Sequence, residues 1–303
     1  NQSKSQYLNT KWFKKFFTWP LEGAVAWAVV NTLKLLPIDI ASGLMGFIAR
    51  NLGPHLSVSN RARINIRNCF PEWTESRIKN VLRDMWENCG RIIGEYPHIQ
   101  NLDVSGNDKR VEVIGVEHIE SMRDDELPGI VFSAHIGNWE LLPMLAEPNG
   151  LSMNFVYRAL NSPLAEKVLR KAHGRLSPYL IPKSREGAIK MARVLKDGGH
   201  LAIMIDQKLN EGITIPFFGR PAKTTTALAA FALRHRCPII PARVERIAGA
   251  TFRVIFYPPI QLPDSGDTVK DTELIMRNAN QIIENWIRDT PSQWLWLHRR
   301  WGK

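Results

Sequence analysis

Gly129-Ile-Val-Phe-Ser-Ala-His-Ile-Gly-Asn-Trp-Glu140 is the stretch from which the fold of this chain can be worked out. Ile130 to Phe132 form an unbroken apolar run, too short for a helix and bounded by Pro128 and Gly129, as a buried parallel strand reads. The run ends at Ser133-Ala134-His135, and Gly137-Asn138 break the extended pattern. Trp139, Glu140, Leu141, Leu142, Met144 and Leu145 then have the spacing of an amphipathic helix. His135 is thereby expected at the carboxyl end of a strand, where open α/β sheets carry their chemistry. Glu140 falls in the first helical turn, where the helix dipole favours a carboxylate. A carboxylate so placed can take the proton of one imidazole nitrogen and leave the other free as a base. Such a pair has no protein nucleophile, so the nucleophile is expected to be a substrate hydroxyl and the reaction a direct acyl transfer.

From about residue 110 onward β-rich runs alternate with helical ones. The strands are expected at 111–114, 130–134, 153–157, 179–181, 201–205, 239–244 and 252–257, with helices at 163–172, 185–195 and 225–233. Ser184 is placed to cap the second of these helices and Gly198-Gly199 to end it. The expected class is α/β, with a mostly parallel central sheet of about seven strands flanked by helices. Residues 74–96 carry the cleanest helical pattern, Ile78, Val81, Leu82, Met85, Trp86, Cys89, Ile92, Ile93 and Tyr96, stopped by Pro97. That helix is assigned to core packing, with no chemistry.

The chain of 303 residues is long enough for one large domain with an N-terminal addition, residues 1–52 preceding 53–303. Lys+Arg number 40 against 29 Asp+Glu, a net charge of +11, which suits anionic membranes, phosphorylated substrates or nucleic acid. Cys69, Cys89 and Cys237 are too scattered for a disulfide framework or a zinc site. No P-loop or G-x-G-x-x-G occurs, so nucleotide binding by those routes has no support, and neither cofactor nor metal is expected. Lys4, Lys11, Lys14 and Lys15 interleave with Trp12, Phe13, Phe16, Phe17 and Trp19 ahead of a mostly apolar stretch, Leu21 to Leu36. Glu22, Asn31 and Lys34 interrupt that stretch, and a confident span needs roughly 20 apolar residues. An interfacial or marginally spanning helix is expected, with a second apolar helix, Ile38 to Leu52, against it.

Two more strand ends fall on the edge that carries His135. Arg158 follows the strand ending at Tyr157, and Asp206 follows the strand ending at Ile205. From Arg158 to Asp197 ten Lys and Arg stand against three acids, a density suited to phosphate. Arg158 and Arg175 are singled out as phosphate ligands, and Asp206 as a partner of an Arg or of the acceptor. Ile215-Pro-Phe-Phe-Gly219 reads as an apolar loop, lining an acyl groove or folded onto the core. Trp294-Leu-Trp-Leu-His-Arg-Arg-Trp301 reads as a nucleic-acid surface, a membrane-facing edge or a packed terminus, nucleic acid being the least favoured.

Taken together, His135-Ile-Gly-Asn-Trp-Glu140, Val156-Tyr-Arg158, Asp206-Gln207, Pro216-Phe-Phe-Gly219, Pro241-Ala-Arg243 and Trp296-Leu-His-Arg-Arg300 resemble the late lipid A acyltransferases, the lauroyl/myristoyl transferases of Gram-negative bacteria. The match runs in consistent order from roughly residue 20 to the C-terminus. The resemblance implies an inner-membrane enzyme facing the cytoplasm, moving an acyl chain from acyl carrier protein to a hydroxyl of a Kdo-bearing acylated glucosamine disaccharide. It places the family's H-x4-D/E pair on His135 and Glu140 and its aspartate on Asp206, while the family's arginine has two candidates, Arg170 and Arg175. Backbone N–H groups near Gly137-Asn138, or an Arg, would meet the oxyanion, and Asn138 joins the candidate substrate-binding residues. Two rivals remain: an acyl-CoA-dependent lysophospholipid or glycolipid acyltransferase, and a basic membrane-surface or nucleic-acid-binding protein.

Overall fold

The computed structural model describes residues 17–102, 110–146, 150–151, 153–174 and 179–302. The basic and aromatic residues 1–16 and Arg175 lie outside them. The N-terminal part is helical: α1 (Trp19–Lys34), α2 (Ile38–Leu52), α3 (Ser59–Cys69) and α4 (Glu75–Glu95). Thr74 caps α4 by accepting the Arg77 N–H, and Pro97 enters the short 3-10 turn Tyr96–Asn101 that follows. Gly90 and Gly94 let α2 and α4 touch backbone to backbone. A Cβ at Gly90 would lie 2.2 Å from the Met45 carbonyl oxygen, and one at Gly94 2.3 Å from that of Ala41. None of the described helices is long and apolar enough to cross a membrane.

The α/β part contains β1 (Val111–Ile114), α5 (Val116–Asp124), β2 (Gly129–Ser133), α6 (Leu142–Ala146), β3 (Met153–Tyr157), α7 (Pro163–His173), β4 (Leu180–Pro182), α8 (Arg185–Lys196) and β5 (His200–Met204). It continues through β6 (Lys208–Phe217), β7 (Arg220–Thr224), α9 (Ala227–His235), β8 (Ile239–Ala248), β9 (Thr251–Phe256) and α10 (Thr268–Asp289). All seven strands read from the sequence join one sheet of order β1-β9-β8-β2-β5-β3-β4. Every neighbouring pair in it is parallel except β8 and β9, which run antiparallel. The expected cap on α8 is present, the Ser184 hydroxyl accepting the Gly187 N–H.

β2 is buried over its whole length, which explains its unbroken apolar run. Ile130 and Phe132 pack on one face of the sheet with α3, α4, α9 and α10, and Val131 on the other with α5 and α6. Burying each such side chain contributes about 1.5–3 kcal/mol.

Two local expectations differ from what is observed, and of three readings of the C-terminal segment one is found. The helix expected from Trp139 is a 3-10 turn, Trp139–Leu141, running into the five-residue α6. The apolar loop at Ile215–Gly219 is the end of a hairpin, β6–β7, turning at Phe218 and Gly219, whose φ values are 52° and 65°. Those two positive values match the twist of a two-residue hairpin turn, and Phe218 without a flanking Asn masks the signal. The aromatic C-terminal segment is a packed terminus, with Trp294, Trp296 and Arg300 all fully buried.

Candidate active site

Ser133 of β2 pairs with Met204 of β5, and His135 and Asp206 each lie two residues beyond that paired position. Two parallel neighbours therefore deliver the two side chains to one place. His135 Nδ1 lies 2.8 Å from Asp206 Oδ1, and the His135 backbone N–H donates to Asp206 Oδ2 at 3.0 Å. Trp294 Nε1 donates to the same Oδ2 at 2.8 Å, which gives the C-terminal segment its place under the site. A bridge between Ile136 and Trp294 and the bond from Leu295 N–H to the His135 carbonyl seat that segment against the loop after β2.

Asp206 is completely buried, and His135 shows 17 % of its side chain. Burial would raise the Asp206 pKa, but the charge and hydrogen bond of His135 outweigh it and hold the carboxyl well below its usual range. Burial would likewise lower the pKa of His135. The Asp206 charge and hydrogen bond overcome that, with the Glu140 charge in support, and the imidazole is raised above its ordinary value. With its Nδ1–H donating to Asp206, the neutral imidazole presents the Nε2 lone pair. There the Gln207 amide N–H approaches at 3.3 Å.

The carboxylate at Nδ1 of His135 is that of Asp206, where the sequence reading had expected Glu140 as the orienter. The physical reason is topological: β2 and β5 are neighbours, whereas the 3-10 turn carries Glu140 across the mouth of the site. Glu140 Oε1 accepts the Trp139 indole N–H at 3.0 Å, and its charge acts on His135 through space. Asp206 and Asn138, expected to bind substrate, are both fully buried and positioned to hold protein groups instead. Asn138 caps the turn through Oδ1, which accepts the Glu140 N–H at 3.3 Å. The Gly137 N–H, a candidate oxyanion donor, is engaged by the Gln293 carbonyl at 3.1 Å.

His135 Nε2 opens onto a cavity of about 420 Å³ at the C-terminal edge of β3 and β5. Its lining combines polar groups, among them His135, Glu140, Gln207, Arg158, Arg170 and Lys183, with apolar side chains such as Phe155, Leu169, Leu180, Met191 and Ile203. That size and lining suit an apolar chain with a few polar fixings. Arg158 is exposed at the rim, as β3 was expected to place it. Of the two arginines proposed for the helix after it, Arg170 lines the cavity.

His298 escaped the sequence reading as an individual residue. Its ring centroid is 4.9 Å from that of His135, and burial pushes its pKa down to about 4, so it stands neutral beside the pair. Among the described residues, His135, Asp206 and His298 are the one group whose ligand atoms, within 4.8 Å of one another, could hold a metal ion. The Asp206 oxygens already accept three hydrogen bonds there, so a cation would have to displace the indole, the imidazole or the backbone N–H.

The family model described as bacterial lipid A biosynthesis acyltransferase matches residues 11–303. A lipid A biosynthesis acyltransferase of Haemophilus influenzae is 22 % identical over 297 residues, covering 94 % of this chain and 91 % of that protein. The lipid A biosynthesis lauroyltransferase of Escherichia coli is 26 % identical over 298 residues, with the same two shares. A phosphatidylinositol mannoside acyltransferase of Mycolicibacterium smegmatis is 21 % identical, covering 92 % of this chain and 90 % of its own length.

Proposed function

We infer a specific reaction for this chain, which belongs to the bacterial lipid A biosynthesis acyltransferase family and is an O-acyltransferase of that pathway. It moves a fatty acyl chain from the thioester of an acyl carrier protein to a hydroxyl of a Kdo-bearing, acylated glucosamine disaccharide. The observation that carries the reading is the Asp206–His135 pair at a cavity of about 420 Å³ lined by apolar side chains together with Arg158, Arg170 and Lys183.

Nε2 of His135 takes the proton of the acceptor hydroxyl as its oxygen attacks the thioester carbonyl carbon. The carbon–sulfur bond breaks, and the imidazolium returns the proton to the departing thiolate. No acyl-enzyme forms. Asp206, kept ionised, stabilises the imidazolium while it exists. The negative charge of Glu140 acts in the same direction. The Gln207 amide and the rim cations Arg158, Arg170 and Lys183 are the groups placed to meet the oxyanion and the acceptor phosphates.

The membrane side of the reading rests on α1 and α2. Ile40, Leu44, Phe47, Ile48 and Leu52 form an exposed apolar stripe along α2, and Leu21, Val25 and Trp27 of α1 and Leu35 just after it are exposed as well. So wide an apolar face suits a helix pair lying in the interface of the inner membrane on its cytoplasmic side.

The relative that acts on a phosphatidylinositol mannoside keeps a second acceptor class in view, a glycolipid or lysophospholipid acylated from acyl-CoA. Purified enzyme supplied with acyl carrier protein or CoA thioesters and with each acceptor, its products weighed by mass spectrometry, separates them. Transfer from acyl carrier protein to the disaccharide is expected; transfer only from CoA to a phospholipid would replace the reading.

A further inference from the structure

Beneath the turn that links His135 to Glu140 lies a largely buried polar network. At its centre is Glu95, the last residue of α4, fully buried. Its Oε2 accepts the Asn138 amide N–H at 2.8 Å and Arg246 Nη2 at 2.9 Å. Its Oε1 accepts the Ser42 hydroxyl of α2 at 2.6 Å and Arg246 Nη1. Arg246 Nε donates to Asn88 Oδ1 at 2.8 Å, and the Asn88 amide donates to the Gly137 carbonyl at 3.0 Å. The Gln293 side chain bonds both ways to the Arg246 backbone, at 2.8 Å each, and its carbonyl receives the Gly137 N–H. Gly137 itself has a φ of 60°, and a Cβ there would lie 2.1 Å from the Val244 carbonyl oxygen.

A buried ion pair of this kind adds little net stability over an apolar filling of the same shape. What it does impose is a single arrangement, because every donor and acceptor is matched and any shift of the turn leaves a buried group unpaired. The turn so held carries Glu140 into the mouth of the cavity by way of Asn138. His135, by contrast, is held by Asp206. The serine that completes the network sits on α2, the helix whose other side bears the exposed apolar stripe.

We propose that Glu95 is a positioning residue for the acyl-transfer site, acting through Asn138 to fix the turn Gly137–Leu141 and with it the Glu140 carboxylate. Only the kinetic arm of its test rests on the acyl-transfer reading. A displacement of about 1 Å in a catalytic group is worth roughly 100-fold in rate. Asn138→Asp keeps the cap on Glu140 but sets two carboxylates against each other. It is expected to lower kcat by about 10- to 100-fold with KM for either substrate within about twofold. Asn138→Ser, too short to reach Glu95 and mild enough to fold, should do the same. Glu95→Gln/Asn138→Asp exchanges the amide and the carboxylate and should recover several-fold of the turnover lost in Asn138→Asp.

Hydrogen exchange supplies a readout that needs no activity. In both single variants the amides of residues 136–141 should exchange on the order of tenfold faster, while those of β2 stay at the wild-type rate. If the wild type transfers no acyl chain from any donor, the reaction assigned above is at fault, and the exchange result still decides this proposal. Wild-type exchange and turnover in Asn138→Ser, or an exchange variant no better than Asn138→Asp, would overturn it.

Discussion

Asp206 is 71 residues from His135 in the chain and 2.8 Å from it in space. The carboxylate is sealed from water, fixed by the Trp294 indole and turned toward Nδ1, so the only ring nitrogen left for chemistry is Nε2.

Removing either partner should stop transfer while leaving the sheet intact. His135→Ala is expected to reduce kcat by roughly 100- to 10,000-fold, the span that general-base catalysis supplies. Asp206→Asn releases the Nδ1 proton from its acceptor and should fall in the same range. Steady-state rates on protein with a wild-type circular dichroism spectrum check this; an Asp206→Asn enzyme within threefold of wild type would return the orienting role to Glu140.

The pH profile tests the electrostatics. His135 works as a base only when neutral, and its pKa is raised, so kcat/KM should climb with pH through a value above about 6.5. Glu140→Gln removes a negative charge that stabilises the imidazolium. The His135 pKa then falls, and the rising limb should move to lower pH even as the maximum rate drops. A limb that moves to higher pH would contradict the assigned charge coupling.

Arg158 stands exposed at the rim, away from the buried pair. If it holds an acceptor phosphate equally in ground and transition states, Arg158→Ala raises KM for the disaccharide and spares kcat. The same substitution should make no difference with an acceptor that lacks phosphate. A fall in kcat at unchanged KM would give the guanidinium to the oxyanion.

The stripe on α2 can be altered without touching the core, since Phe47 is 68 % and Leu44 46 % exposed. Leu44→Ser/Phe47→Ser should weaken sedimentation with anionic phospholipid vesicles by at least about tenfold, given about 1.5–3 kcal/mol per large apolar side chain buried. Turnover on acceptor dispersed in detergent should be unchanged. Undiminished vesicle binding would place the membrane contact outside this face.

Most of the elements were legible because their signals are local. Ile130 to Phe132 name a buried strand by composition, the 3.6-residue recurrence from Ile78 to Ile93 names a helix, Ser184 marks a helix start by a hydrogen bond within its own segment, and Pro97 marks an end by the N–H it lacks. His135, Arg158 and Asp206 were found as strand-end residues on the same grounds. The hairpin at Phe218 was not, because a phenylalanine at positive φ is tolerated only when packing holds it there; its ring packs edge-on or tilted among Phe70, Phe217, Trp296 and Trp301.

Sequence alone determined the seven strands of the main sheet, several of its helices and which strand-end residues reach the active edge, since these depend on neighbours a few positions apart. Tertiary structure decided the partners. Strand order brought Asp206, rather than the nearer Glu140, to Nδ1 of His135; the crossing of α4 put Glu95 and Asn88 under the turn; the return of the C-terminus set Trp294 behind Asp206. A buried hydrogen bond is made with whichever group the packing delivers, and that group's distance along the chain carries no weight in its energy.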